Sequence, residues 1–157
     1  MNVTLLTVGK TDVPWVSEGM EVYISRLKHY VPFAVKELPH LKGVSALTPA
    51  EVKSREGEMI LKSLKPSDQV ILLDEKGRSF RSVEFASFIE GKMARSSGAL
   101  VFVVGGAYGF SDEVRSRADG MISLSPMTFS HQMVRVIFLE QIYRAFTILN
   151  GHPYHNE

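Results

Sequence analysis

Three glycines directly after an apolar run form the first segment of the chain that could bind a ligand. The stretch VVGGAYGF (residues 103–110) carries them at positions 105, 106 and 109, where a backbone without side chains can turn sharply and approach a ligand closely. The spacing is not that of a dinucleotide-binding fingerprint, and Ser125 stands where that motif needs an acidic residue for the ribose. No Gly-Lys-Ser or Gly-Lys-Thr phosphate loop is present. The segment predicts either a ligand-binding loop or a tight strand-to-helix turn.

Two further polar segments follow apolar runs that predict strands. The carboxyl end of a strand is where α/β folds bind ligands. LLDEKG (residues 72–77) offers the side chain and carbonyl of Leu73 and then two adjacent carboxylates, Asp74 and Glu75. Adjacent carboxylates in a turn more commonly point apart into solvent than act as a pair. SLSPMTFSH (residues 123–131) interleaves hydroxyl groups with apolar side chains before a helix, a combination suited to an adenine ring. The simpler interpretation is a connecting loop in which Ser130 caps the helix.

The last six residues, HPYHNE, combine two histidines with a tyrosine. Tyr154 and His155 could stack on unpaired bases, and an imidazole exchanges protons near neutral pH. Chain ends normally fray and carry no function, which is the alternative. Two histidines without an obvious third ligand do not predict a metal site, and we expect none.

Short apolar runs alternate with helical patterns, and these elements must position the candidate segments. Continuous runs suit strands covered on both faces, whereas the alternating run 33–38 suits an edge strand. Asp12 and Thr48 are predicted N-caps, the latter in a capping box with Glu51. We predict strands at residues 3–8, 33–38, 69–73, 99–104 and 120–124, and helices at 13–30, 48–64, 82–94, 111–117 and about 130–150. This order predicts an α/β fold in a single domain, with a mostly parallel sheet and helices on both faces.

The last of these helices is apolar on nearly all its circumference. Such a helix is usually buried on every side. The burial is provided either by the core of this chain or in part by a second subunit, and the sequence leaves both open.

The composition of the chain excludes several kinds of functional site. The 157 residues contain 18 basic and 17 acidic side chains and no cysteine, which excludes disulfides, thiolate zinc sites and cysteine nucleophiles. A net charge of +1 argues against a histone-like tail, yet Lys76, Arg78 and Arg81 cluster without an acidic residue between them and could track phosphates. No leader or membrane segment is visible, so we expect a soluble, cytoplasmic protein without a membrane partner.

Taken together, VVGGAYGF, SLSPMTFSHQMVRVIFLEQIYRAF and the terminal HPYHNE resemble one family, the ribosomal RNA large-subunit methyltransferase H family of the SPOUT class. The resemblance covers essentially the whole chain, including VPWVSEGMEVYISRL near its start. Asn156 departs from it, because many members carry a basic residue there.

The resemblance implies transfer of a methyl group from S-adenosylmethionine to N3 of a pseudouridine in large-subunit ribosomal RNA, on assembled ribosomes. It also implies a homodimer and a C-terminal trefoil knot, which runs against the usual avoidance of threaded chains. The cofactor contacts that it implies are Leu73, Gly105, Leu124, Ser125, Pro126, Met127, Thr128 and Phe129.

The catalytic candidates lie in the last helix and the tail. The resemblance associates Tyr154 and His155 with the RNA, and deprotonating an imide N–H would be helped by a base, for which His155 is the first choice and Glu140 the second. Arg135 and Arg144 are expected to contact phosphates or the base, although Arg144 could instead pair with Glu140 one turn away. A non-catalytic ribosomal RNA-binding module and a small-molecule enzyme using an adenine cofactor are the competing interpretations.

Overall fold

The computed structural model describes residues 1–95 and 97–157, and within them the strands form one parallel sheet. The strand order is β2-β1-β4-β3-β5, and every neighbouring pair is parallel. The strands are β1 (Val3–Val8), β2 (Phe33–Leu38), β3 (Gln69–Ser79), β4 (Leu100–Val104) and β5 (Gly120–Ser123). The predicted parallel α/β sheet is therefore confirmed, and the alternating strand β2 lies at an edge as expected.

Helices cover both faces of the sheet. They are α1 (Pro14–Leu27), α2 (Pro49–Ser63), α3 (Ser82–Arg95), α4 (Asp112–Arg117) and α5 (Met133–Leu149), with a 3-10 turn at Val44–Ala46. The apolar helix α5 packs against both α1 and α3 on one face, where Phe138 and Ile142 are completely buried. On the other face α2 and α4 pack together over Ile60 and Val114. Each such side chain contributes roughly 1.5–3 kcal/mol of burial.

Local capping follows the sequence in one helix and departs from it in another. The capping box of Thr48 and Glu51 is present at the start of α2. The prediction for Asp12 is wrong, because Val13 occupies the N-cap position of α1 without a side-chain cap. The Asp12 backbone N–H instead donates to the side-chain oxygen of Gln132 at 3.0 Å, which ties the start of α1 to the start of α5.

The end of β3 also differs from expectation. The polar sequence after Leu73 predicts a turn, but the strand continues to Ser79. Leu73 and Arg78 are both paired with Ile122 of β5, so residues 74–77 bulge out of the sheet before the pairing resumes.

None of the helices in residues 1–95 and 97–157 combines the length and apolar character that a membrane span requires.

Candidate functional site

A cavity of about 490 Å³ opens at the carboxyl ends of β3, β4 and β5. This is the edge where parallel α/β sheets bind ligands, and the volume lies in the range of small-molecule sites. The segments after all three strands line it together, as the sequence predicts. Of the proposed cofactor contacts, the cavity is lined by Leu73, Gly105, Leu124, Ser125, Met127, Thr128 and Phe129, whereas Pro126 lies in the same loop but is not among the lining residues.

The loop between β5 and α5 is held in shape by its own hydroxyl groups. The Ser123 hydroxyl donates to the carbonyl of Ser125 at 2.9 Å, and the Ser125 hydroxyl accepts from the N–H of Met127 at 3.0 Å. The Ser130 hydroxyl accepts from the N–H of Met133 at 3.1 Å, so it caps the turn that leads into α5. Because these bonds are internal to the chain, the loop has its shape before a ligand binds.

The two carboxylates after Leu73 point apart, as expected, but only Glu75 is exposed to solvent. The side chain of Asp74 is only 12% exposed and its carboxylate lies 3.1 Å from the guanidinium of Arg115 in α4. Glu75 accepts a hydrogen bond from the hydroxyl of Thr128 at 2.8 Å, which joins the β3 bulge to the β5–α5 loop. The two acidic residues therefore brace the walls of the cavity from different sides.

A buried carboxyl group supports the glycine loop from behind. Glu56 of α2 is 9% exposed, and its Oε1 has no hydrogen-bond partner among the described residues. A Cβ atom at Gly106 would collide with this carboxyl group, so a larger residue there would force the Glu56 side chain to move. Burial raises the pKa of Glu56, an effect that nearby His40 opposes.

Arg135 is fully buried, which corrects the expectation that it contacts RNA. Its guanidinium donates to the carbonyls of Val8 and Gly9 at 3.1 and 3.0 Å, and its Nε donates to the carbonyl of His131 at 3.0 Å. Glu37 supplies the counter-charge at 3.2 Å. Burial lowers the pKa of Arg135 while Glu37 opposes the shift, and the group remains a cation at neutral pH. Arg135 thus fastens the β1–α1 loop to the start of α5, and no part of it is available to a phosphate.

The chain end is folded back on α5. Tyr154 donates its hydroxyl to Glu140 at 3.1 Å, and its ring lies 4.8 Å from the guanidinium carbon of Arg144. Arg144 also pairs with Glu140 at 2.5 Å, as the spacing of four residues predicts. The His152 imidazole is 2.6 Å from the hydroxyl of Tyr30. Burial and the neighbouring Glu140 raise the pKa of Tyr154 to about 12, so it remains a hydrogen-bond donor.

The imidazole of His155 is engaged by Arg144 in this arrangement. An Arg144 nitrogen lies 3.1 Å from Nδ1 of His155, and because a guanidinium can only donate, Nδ1 must accept and the ring proton must sit on Nε2. His155 has no free lone pair for a substrate proton while this bond lasts. None of Glu140, Tyr154 and His155 lines the cavity of its own chain.

Comparison with known proteins identifies the kind of protein that has this site. Residues 1–155 match the family described as "Predicted SPOUT methyltransferase". The chain belongs to the SPOUT methyltransferase family. The chain is 52% identical to "Ribosomal RNA large subunit methyltransferase H" of Parabacteroides distasonis over 157 residues, and the alignment covers 100% of both chains. Proteins of that name from Bacteroides fragilis and Phocaeicola vulgatus are 51% and 50% identical over 157 residues, with 100% of both chains covered.

Membership of the SPOUT methyltransferases confirms the family that the loop and tail motifs indicate, and it gives the chain a class of chemistry, methyl transfer. Two cavity residues have no sequence signal that could have revealed them. Arg115 is an ordinary basic residue in the last turn of α4, and Val134 is one of many apolar residues of α5, yet both line the cavity. Within the described part of the chain, no three His, Asp or Glu side chains are grouped to hold a metal ion.

Proposed function

We propose that the chain transfers a methyl group from S-adenosylmethionine to N3 of a pseudouridine in large-subunit ribosomal RNA, acting on assembled ribosomes in the cytoplasm. One observation carries the proposal: the three segments that the sequence singles out line one cavity, in a SPOUT methyltransferase whose half-identical relatives are named for methylation of this RNA.

The residues around the cavity suit S-adenosylmethionine. Leu73, Leu124 and Phe129 offer apolar surface for an adenine ring, beside the exposed backbone of the glycine loop. The carboxylates of Asp74 and Glu75 and the cations of Lys76 and Arg115 line the same cavity, which therefore offers charges of both signs to the amino and carboxylate groups of the cofactor. When bound, the sulfonium supplies an activated methyl group, so the chain needs neither a metal ion nor a covalent nucleophile.

The chain's own task is to align the reacting groups and to accept a proton. Holding two reactants in line removes much of the entropic barrier, and the preformed β5–α5 loop serves this purpose. The imide proton at N3 needs an acceptor, and His155 remains our first choice, with Glu140 second. His155 must then exchange its bond with Arg144 for one with the substrate, and the phenol of Tyr154 stays protonated throughout.

A homodimer is part of the proposal, because the tail of one copy does not line its own cavity. Apolar side chains are exposed at the start of the two packed helices α1 and α5, where Trp15 is 57% and Met133 is 44% exposed. Met127 at the cavity is 76% exposed. A second copy seated over this surface would cover these side chains and bring other groups to the cavity. We also propose that residues 1–157 form a single SPOUT domain with a C-terminal trefoil knot.

Titration of the purified protein with S-adenosylmethionine tests the proposal, with and without ribosomes. We expect saturable binding, competed by S-adenosylhomocysteine, and methyl incorporation into large-subunit RNA. Absence of saturable binding in both conditions would rule out the methyltransferase and leave an RNA-binding module.

A further inference from the structure

The bulge at the end of β3 forms a rigid arm beside the cavity. We call residues 75–81 the arm. Gly77 packs directly on the β5 backbone, so that a Cβ there would lie 2.7 Å from backbone atoms of Ile122. The arm returns to the sheet with Arg78 paired to Ile122 and Ser79 paired to Ser123. Held at both points, the arm presents its exposed side chains in fixed positions.

The arm exposes three cations, Lys76, Arg78 and Arg81, and one acid, Glu75, which accepts a hydrogen bond from Thr128. Among the described residues, no acidic group lies within salt-bridge distance of Lys76 or Arg78. The side chain of Arg81 has one salt bridge among the described residues, to Glu157 at 3.5 Å, in a pair so exposed that it contributes little to stability. By contrast, Arg115, Arg135 and Arg144 all have carboxylate partners. The arm is therefore a local positive surface on a chain whose net charge is only +1.

Arg78 is also stacked on an aromatic ring. Its guanidinium carbon lies 4.4 Å from the ring centroid of Phe80, and Phe80 is anchored against Phe88 of α3 at 5.0 Å between centroids. Lys92 lies over the ring of Phe88, which adds another cation to the same region. A guanidinium placed over an aromatic ring still has N–H groups to donate, and guanidinium groups and aromatic rings are the side chains that bind phosphates and unpaired bases.

The arm runs from the cavity to the folded tail of the same chain. At one end Lys76 lines the cavity, and at the other Arg81 touches the last residue of the folded tail. An RNA strand that enters the cavity from the direction of the tail would run along the arm. The spacing of Lys76, Arg78 and Arg81 over six residues of extended chain, about 3.3 Å each, allows the arm to reach more than one nucleotide.

We propose that the arm binds the sugar-phosphate backbone of the RNA substrate, with Lys76, Arg78 and Arg81 on phosphates and the Arg78–Phe80 stack beside an unpaired nucleotide. The inference rests on the proposed function, because it names the surface through which that substrate is held. It adds an RNA-binding surface that begins at the cavity with Lys76 and continues outside it through Arg78 and Arg81.

Salt-dependent binding to ribosomes tests the proposal. Ribosomes from cells that lack the gene are titrated with the wild-type chain, with the triple variant Lys76→Ala/Arg78→Ala/Arg81→Ala, and with Lys36→Ala as a control. Lys36 lies on β2 at the opposite edge of the sheet and has no salt bridge in the described structure. We expect the triple variant to flatten the slope of log affinity against log salt by about 2, because each phosphate that is no longer neutralised reduces the slope by about 0.7–0.9. Lys36→Ala should keep the wild-type slope.

Two further measurements show whether the variants lose RNA binding without unfolding, and whether the planar guanidinium of Arg78 matters beyond its charge. Thermal unfolding should stay at the wild-type value in the triple variant, since its side chains are exposed. S-adenosylmethionine affinity should stay at the wild-type value in the double variant Arg78→Ala/Arg81→Ala, which keeps the cavity-lining Lys76. Arg78→Lys should keep the salt slope but raise the KM for ribosomes several-fold, because an ammonium does not stack as a guanidinium does. A triple variant that methylates ribosomes with the wild-type KM and slope would overturn the arm proposal alone. A wild-type chain that binds no ribosomal RNA would overturn both proposals.

Discussion

Replacing Arg135 by alanine separates an anchoring role from an RNA-binding role. The change removes a fully buried cation together with its hydrogen bonds to the carbonyls of Val8 and Gly9 and to Glu37. Gly9 still accepts from the Thr7 hydroxyl, and Glu37 still accepts from Thr11. Removing one partner of a buried ion pair typically costs about 3–5 kcal/mol. We expect a loss toward the lower end of that range, because Glu37 is 32% exposed and keeps its hydrogen bonds from Thr11. For a chain of this length that loss lowers the Tm by roughly 6–20 °C.

Urea unfolding followed by circular dichroism measures the change in free energy. Arg55→Ala is the matched control, because Arg55 is exposed on α2 and has no ion pair in the described residues. This control variant should change the free energy of unfolding by less than about 0.5 kcal/mol. Should Arg135→Ala fail to fold, Arg135→Lys keeps the charge but loses the planar donor fork, and an intermediate loss is expected. A variant with wild-type stability but weakened RNA binding would refute the anchoring role.

Three further predictions concern the loops and the tail. Gly106→Ala should weaken S-adenosylmethionine binding at least about tenfold in calorimetry, because the new Cβ collides with the Glu56 carboxyl group. Adding Glu56→Ala to that variant should restore part of the affinity. If no affinity returned, the contact between residue 106 and Glu56 would be contradicted. Burial raises the pKa of Glu56, so the wild-type chain loses stability as the pH rises from the unfolded-state pKa toward the folded-state pKa. Compared with wild type, the Glu56→Gln variant should therefore become progressively more stable above about pH 4. A stability difference that does not change with pH would argue against a buried carboxyl group. His155→Ala should lower kcat by about 100-fold or more with little change in cofactor affinity, and an unchanged kcat would remove His155 from the mechanism.

The elements that position the site follow from patterns local in sequence. Continuous apolar runs indicate the buried parallel strands, and the three polar segments after them must meet at one edge because parallel strands share a direction. That is why residues as distant as Leu73 and Phe129 can be assigned to one site from the sequence.

The features that sequence reasoning missed depend on partners far away along the chain. Arg135 looks like a surface arginine on a helix, and its burial depends on carbonyls 126 and 127 residues earlier. Glu56 looks like one of several acidic residues on an amphipathic helix, and only the fold places it behind Gly106. The residues after Leu73 are polar enough to predict a turn, whereas pairing with Ile122 continues the strand as the arm.

Methylation of ribosomal RNA by this chain can be measured directly by mass spectrometry of that RNA. Large-subunit RNA is compared between cells with and without the gene, and ribosomes from the latter are then incubated with the purified protein and S-adenosylmethionine. We predict that one methylated pseudouridine disappears with the gene and returns on incubation. Retention of every methylated pseudouridine in cells that lack the gene would contradict the proposed activity.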